Sequence, residues 1–126
     1  MIDRWIAGWT EGWRNHDPDV IASLYTEDAV FVSHPFREPE DPRAYAERVF
    51  AEEDSAEFRF GKPVVGEDRA AVEYWAVICA EGKEQALAGV TVLRFTADGR
   101  CCEHRDYWAI RPGRREPRSG WGYTVS

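Results

Sequence analysis

The sequence predicts an α+β fold: a cone-shaped α+β barrel in which three N-terminal helices pack on a curved, mainly antiparallel sheet. Three observations lead there. Before Glu57, apolar residues recur at helical spacing, apart from one short strand. From Glu57 onward the chain changes to four long runs of strand-forming residues. Each break between those runs is a hairpin-type turn sequence, so consecutive strands pair antiparallel. Helices in one block and strands in another make two layers. Long strands twist and curl, so the helices close one side of a cone around a cavity.

The first helix covers residues 2–15. Ile2, Trp5, Ile6, Trp9 and Trp13 fall at i, i+3, i+4, i+7 and i+11, a single apolar stripe. That stripe serves either as core packing or as the wall of a cavity. Asp17-Pro18-Asp19 opens a second helix, with Asp17 as N-cap and Pro18 at the first helical position. Val20, Ile21, Leu24 and Tyr25 form its apolar face. Ala29–Ser33 is the first strand, ended by His34-Pro35. A proline-rich loop runs from Pro35 to Pro42, where Asp41 caps a third helix that buries Tyr45, Val49 and Phe50. The four strands are Glu57–Val65, Ala70–Ala80, Glu84–Ala97 and Arg100–Ile110. Gly66-Glu67-Asp68, Glu81-Gly82-Lys83 and Ala97-Asp98-Gly99 separate them.

At 126 residues the chain fits one domain, set at 1–112, followed by a basic tail over 113–126. It is 44% hydrophobic and 13% aromatic, with six Trp, five Tyr and six Phe, enough rings for a large core or an apolar cavity. Net charge is −7, and Arg111, Arg114, Arg115 and Arg118 all lie near the end, so the body is more acidic than the whole. Such a body repels nucleic acid and anionic membrane, and neither is expected as a partner. No run approaches the ~20 apolar residues of a membrane span, and no secretory leader is visible. Cys79, Cys101 and Cys102 are odd in number, with a vicinal pair and no C-x-x-C spacing. They form no disulfide framework and point to a reducing cytoplasm.

Four stretches resemble the nuclear transport factor 2-like superfamily, and within it the SnoaL-like, polyketide cyclase-like domains. They are Asn15 to Ile21, Leu24-Tyr25-Thr26-Glu27-Asp28-Ala29-Val30, Val92 to Gly99, and Glu103-His104-Arg105-Asp106-Tyr107-Trp108. With the element order, the resemblance covers residues 2–110. The segment His34 to Pro39 is similar to a bacterial subset of the SnoaL-like proteins. Function is another matter, because one fold of this kind hosts many unrelated activities. Ketosteroid isomerases of the superfamily use a tyrosine and two acids. The matching positions here hold Trp9, Ser33 or His34, and Thr91, so the resemblance implies that this chain is not a ketosteroid isomerase. Polyketide cyclases use an aspartate on a late strand beside His or Arg, and Asp106 with His104 matches that arrangement. The Asp-Arg-Asp set of limonene epoxide hydrolases has no full match.

Alternation along the last strand puts His104, Asp106 and Trp108 on one face. The register implied by the resemblance turns that face inward, with Tyr74, Thr91 and Leu93. The expected cavity then holds His34, Tyr74, Thr91, His104 and Asp106 among Trp9, Trp13 and Trp108. Asp106, His104 and His34 are the candidate catalytic residues. Trp9, Trp13, Tyr74, Thr91, Trp108 and Arg37 are the candidate substrate contacts. A carboxylate beside a histidine in an apolar pocket suits general acid–base chemistry on a hydrophobic carbonyl compound, of a cyclase, isomerase or lyase type. The same pair equally suits a purely structural hydrogen bond, His34 equally suits loop capping, and Arg37 equally suits a loop ion pair. A non-catalytic ligand-binding or accessory domain is therefore the alternative. No cofactor is implied, and His34, His104 and Asp106 lack metal-ligand spacing. Outward Trp75, Val77, Val90 and Val92 form an apolar patch on the convex sheet face. The resemblance implies a homodimer through that face, and the Trp121 and Tyr123 rings of the tail are candidates to reach a partner.

Overall fold

A computed structural model describes residues 1–124. The elements run α1 (Ile2–Arg14), α2 (Pro18–Ala22), β1 (Tyr25–Val32), α3 (Pro42–Glu52), β2 (Ser55–Phe60), β3 (Val64–Val65), β4 (Arg69–Ala80), β5 (Lys83–Phe95) and β6 (Cys101–Pro112). Three helices lie on a mixed sheet of order β1-β6-β5-β4-β2, with the short β3 also on β4. All pairings are antiparallel except that of β1 with β6, which is parallel. The sheet curls without closing, and the helices cover its concave face to complete the cone.

Local chemistry explains the helix starts. The Asp17 carboxylate accepts from the backbone N–H groups of Asp19 and Val20, and Asp41 does the same for Ala44. Pro18 and Pro42 follow these caps, where a missing N–H costs no hydrogen bond. The α1 stripe is buried as expected: Trp5, Trp9 and Trp13 are each 5% exposed or less. Their indoles stack face to face along the helix, with centroids 5.1 Å apart between Trp5 and Trp9 and 4.4 Å between Trp9 and Trp13.

Two boundaries differ from the sequence expectation. The second helix stops at Ala22, and β1 starts at Tyr25 rather than Ala29. The Leu24 N–H closes the helical turn on Ile21 while its carbonyl accepts from Cys101 N–H, which draws the chain onto β6 at once. Tyr25 thus leaves the helix face assigned to it and enters the core from a strand. The expected strand over 57–65 is broken into β2 and β3 by Gly61-Lys62-Pro63. Pro63 has no N–H for a ladder, and the Gly61 Cα lies so close to Gly122 that a Cβ there would stand 2.7 Å from it.

The tail returns over the convex face. Trp75 Nε1 donates to the Arg115 carbonyl at 2.8 Å, the Trp121 ring meets the Trp75 ring edge to face, and Lys62 N–H donates to the Gly122 carbonyl. Arg114 pairs with both Glu57 and Glu84. Trp121, expected as a reach toward a partner, is seated on its own chain against Trp75. Val90 and Val92 stay half-buried on the same face, beside the exposed Tyr107.

Candidate functional site

The concave face carries a buried hydrogen-bond chain that joins helix, first strand and last strand. Trp5 Nε1 donates to Tyr25 Oη at 3.2 Å. Tyr25 Oη meets His104 Nδ1 at 2.8 Å, and His104 Nε2 meets Asp106 Oδ1 at 2.8 Å. Thr91 Oγ1 donates to the same Asp106 oxygen at 2.7 Å. The parallel β1–β6 pairing builds the chain by placing Tyr25 and Phe31 beside the strand that carries His104. Antiparallel register sets Thr91 directly opposite Asp106.

Directionality follows from the donors. The indole N–H only donates, so Tyr25 Oη accepts from Trp5, and a carboxylate only accepts, so His104 Nε2 carries the hydrogen of its bond to Asp106 and Nδ1 accepts from the Tyr25 hydroxyl. Burial above all, then the neighbouring Cys101, pushes the Tyr25 phenol well above its ordinary value, which keeps that proton in place. The network thereby assigns Nδ1 of His104 as acceptor and Nε2 as the protonated nitrogen, aimed at Asp106. His104 is 0% exposed and packed among the Trp5, Trp9, Tyr25 and Phe31 rings. Asp106 Oδ1 is thus held by two donors. Its Oδ2 has no hydrogen-bond partner among the described residues, and Asp106 lines the cavity.

That cavity measures about 60 Å³. Trp9, Trp13, Tyr74, Thr91, Trp108 and Asp106, all singled out from sequence, line it. So do Trp5, Tyr45, Val49, Glu53, Phe58, Phe60, Ile78 and Leu87. Tyr74 lines it with a phenol that has no hydrogen-bond partner among the described residues; burial first and the Asp106 charge second hold that phenol far above its ordinary value. Gly89 makes room here. It sits between Tyr74 and Trp108 in register, and a Cβ on it would lie 2.5 Å from the Tyr107 carbonyl oxygen and 2.7 Å from Trp108 Cβ.

Three candidates lie elsewhere. His104 stands behind Asp106, hydrogen-bonded on both sides, and does not line the cavity. His34 accepts from Phe36 N–H through Nδ1 and packs edge-on against Trp108 with centroids 4.8 Å apart, a loop arrangement outside the cavity. Arg37 is exposed, donates to Ser33 Oγ and lies over the Trp108 ring, so it braces the rim rather than the interior.

Glu53 was not foreseen. It follows α3 and is 8% exposed; its Oε2 accepts from Trp13 Nε1 at 3.0 Å and pairs with His16 Nε2 at 3.2 Å. Its Oε1 is buried with no partner, as is the indole N–H of Trp9. Burial pushes the Glu53 carboxyl up, against the opposing pull of His16 and Trp13. In the sequence, Glu52-Glu53-Asp54 looks like a solvated helix end. The available signal was spacing: Ala46, Val49, Phe50 and Glu53 fall at i, i+3, i+4 and i+7, so Glu53 extends the buried face of α3. Among the described residues no group of three metal-ligating side chains converges.

The sequence pattern of the SnoaL-like domain matches residues 6–104. The chain belongs to the SnoaL-like family. Its fold is shared with an LEH-like epoxide hydrolase of M. tuberculosis (TM-score 0.71, 14% identity, 84% of this chain and 80% of that one). It is shared with the epoxide hydrolase/cyclase-like enzyme SalBIII, which has a role in pyran ring formation in the polyether salinomycin (TM-score 0.74, 18% identity, 88% and 95%). A hypothetical protein with a ketosteroid isomerase-like fold from Catenulispora acidiphila, solved in complex with trimethylamine, is similar at TM-score 0.74 and 18% identity, covering 83% and 85%. No curated protein matches the sequence. At these identities the likeness is one of fold. The SnoaL-like domain and its neighbours support a ligand-binding or cofactor-free catalytic fold. No helix among the described residues is long and apolar enough to cross a membrane.

Proposed function

We propose that this SnoaL-like protein binds a small hydrophobic molecule in the cone cavity and acts on it by cofactor-independent acid–base chemistry on a carbonyl compound, of a cyclase, isomerase or lyase type. One observation carries the reading. Asp106 is fixed through Oδ1 by His104 and Thr91 and leaves Oδ2 to an aromatic cavity. A carboxylate so oriented is a positioned proton acceptor. In this reading Asp106 takes the proton next to the carbonyl, Tyr74 donates to the developing enolate oxygen, and His104 is a positioning residue acting through Asp106. Trp9, Trp13, Thr91 and Trp108 complete the wall. The trimethylamine complex of the Catenulispora protein supports a ligand of small size. The test is deuterium incorporation at the α-carbon of butanone in D2O, followed by NMR. Exchange above the buffer rate that is lost in Asp106→Asn is the expected result; exchange at the buffer rate, or retained in the variant, overturns it.

A second reading is a non-catalytic ligand-binding or accessory domain. The Trp5-Trp9-Trp13 stack favours it, because it occupies much of the cone and leaves a cavity of about 60 Å³. Saturable binding without exchange is its signature. We also propose a homodimer through the part of the convex face left uncovered by the tail, at Val90, Val92 and Tyr107, and a cytoplasmic location suited to three free cysteines.

A further inference from the structure

We infer that the ligand of this cavity carries a protonated amine, received by Glu53, with Asp106 as a second negatively charged wall. The inference rests on the cavity being a ligand site, as proposed above, and names the charge its ligand bears. Two carboxylates line the cavity, and no lysine or arginine does. Both are built alike. Each commits one oxygen to a histidine Nε2 and a second donor: Glu53 Oε2 to His16 and Trp13, Asp106 Oδ1 to His104 and Thr91. In each the other oxygen has no hydrogen-bond partner among the described residues, and Glu53 Oε1 is fully buried.

A buried carboxylate oxygen without a donor is costly, of order 1–3 kcal/mol or more. A ligand carrying N–H donors and a positive charge removes that cost at Glu53 and is attracted by the charge of Asp106. A carboxylate or phosphate ligand meets two like charges, and a plain hydrocarbon leaves both oxygens unpaired. The remaining lining is mostly aromatic, and ring faces attract cations as well as methyl groups. The cavity volume of about 60 Å³ sets the size, since a site for one water needs ~10–15 Å³. The ligand, or the part of it seated here, has about five non-hydrogen atoms. A small amino ketone carries both the ammonium and the carbonyl group of the proposed reaction.

The decisive comparison is tert-butylammonium against tert-butanol, which share a shape and differ in charge. Both are titrated by tryptophan fluorescence at fixed ionic strength and pH 7. We expect the ammonium to bind about tenfold tighter or more, a difference of ~1.4 kcal/mol. In Glu53→Gln that preference shrinks at least threefold, and a circular dichroism spectrum superimposable on that of the native protein reports an intact fold. Equal affinity of the two probes in the native protein overturns this inference and leaves the cavity as a site for neutral ligands. Failure of both probes to bind overturns the ligand-site reading itself.

Discussion

Glu53 and Asp106 line the same cavity, Glu53 from the end of the helical wall and Asp106 from the last strand, and each is hydrogen-bonded to a histidine. The two differ in what surrounds the histidine. His104 is sealed among rings, whereas His16 keeps 30% of its side chain exposed and stacks on Phe50. Asp106 is thus the rigidly oriented member of the pair and Glu53 the one whose partner reaches solvent.

The Glu53 carboxyl is pushed up chiefly by burial, so the fold binds a proton there more tightly than the unfolded chain does. Its stabilising contribution is full below the ordinary glutamate range, about pH 4.3, and is lost as pH rises through the raised value. Thermal melts of the native protein and Glu53→Gln between pH 4 and 8 check the sign. The native protein should lose melting temperature relative to the variant as pH rises across that window. A relative gain would mean that the His16 pair, not burial, governs this group.

Tyr25→Phe removes the hydroxyl that links Trp5 Nε1 to His104 Nδ1. Both nitrogens are then buried without a partner, at a cost of about 1–3 kcal/mol each. Urea denaturation should show a loss of that order. Affinity for any cavity ligand should fall as well, because the His104 proton is no longer directed to Nε2 and Asp106 loses a donor.

Gly89→Ala puts a methyl against the Tyr107 carbonyl and Trp108 Cβ. Neither is the free end of a flexible chain, so the strands must part. We expect about 1–3 kcal/mol of destabilisation, read by chemical denaturation, together with weakened ligand binding, since Tyr74 and Trp108 flank the residue.

Arg37→Ala and His34→Ala test the rim. Both side chains meet Trp108 from outside the cavity. Ligand affinity should change less than about threefold, under ~0.7 kcal/mol, in contrast to the larger losses at Asp106 and Glu53. A tenfold loss in either variant would show that the loop enters the site.

Removal of residues 113–126 uncovers Trp75 and deletes the Arg114 pairs. Exposed ion pairs contribute little, so the main effect is apolar exposure. Acrylamide should quench Trp75 fluorescence more strongly, and light scattering should report a higher mean mass for the shortened chain than for the full one.

The architecture was legible because its signals are local: the tryptophan stripe, two Asp-Pro caps and three hairpin turns each specify a geometry within a few residues. Alternation along the last strand puts His104 and Asp106 on one face, and the family resemblance, not the alternation, turned that face inward. What was not legible depends on distant pairings. Tyr25 looked helical because Leu24 and Tyr25 continue an apolar helical spacing; only the bond from Cys101 to Leu24 diverts it. Glu53 was hidden by acidic neighbours. His34 looked interior because a strand leads straight into it, yet the turn after Ser33 swings the ring outside Trp108.

The parallel β1–β6 pairing bears on how the protein is made. Among the described residues β1 pairs with no strand but β6, and the Tyr25–His104 bond spans 79 residues. During synthesis the first strand therefore waits, its ladder groups unpaired, until nearly the whole domain has left the ribosome. The site assembles only with that final docking, so folding is slow to commit, and a chain stalled before Cys101 has neither an anchored first strand nor an Asp106.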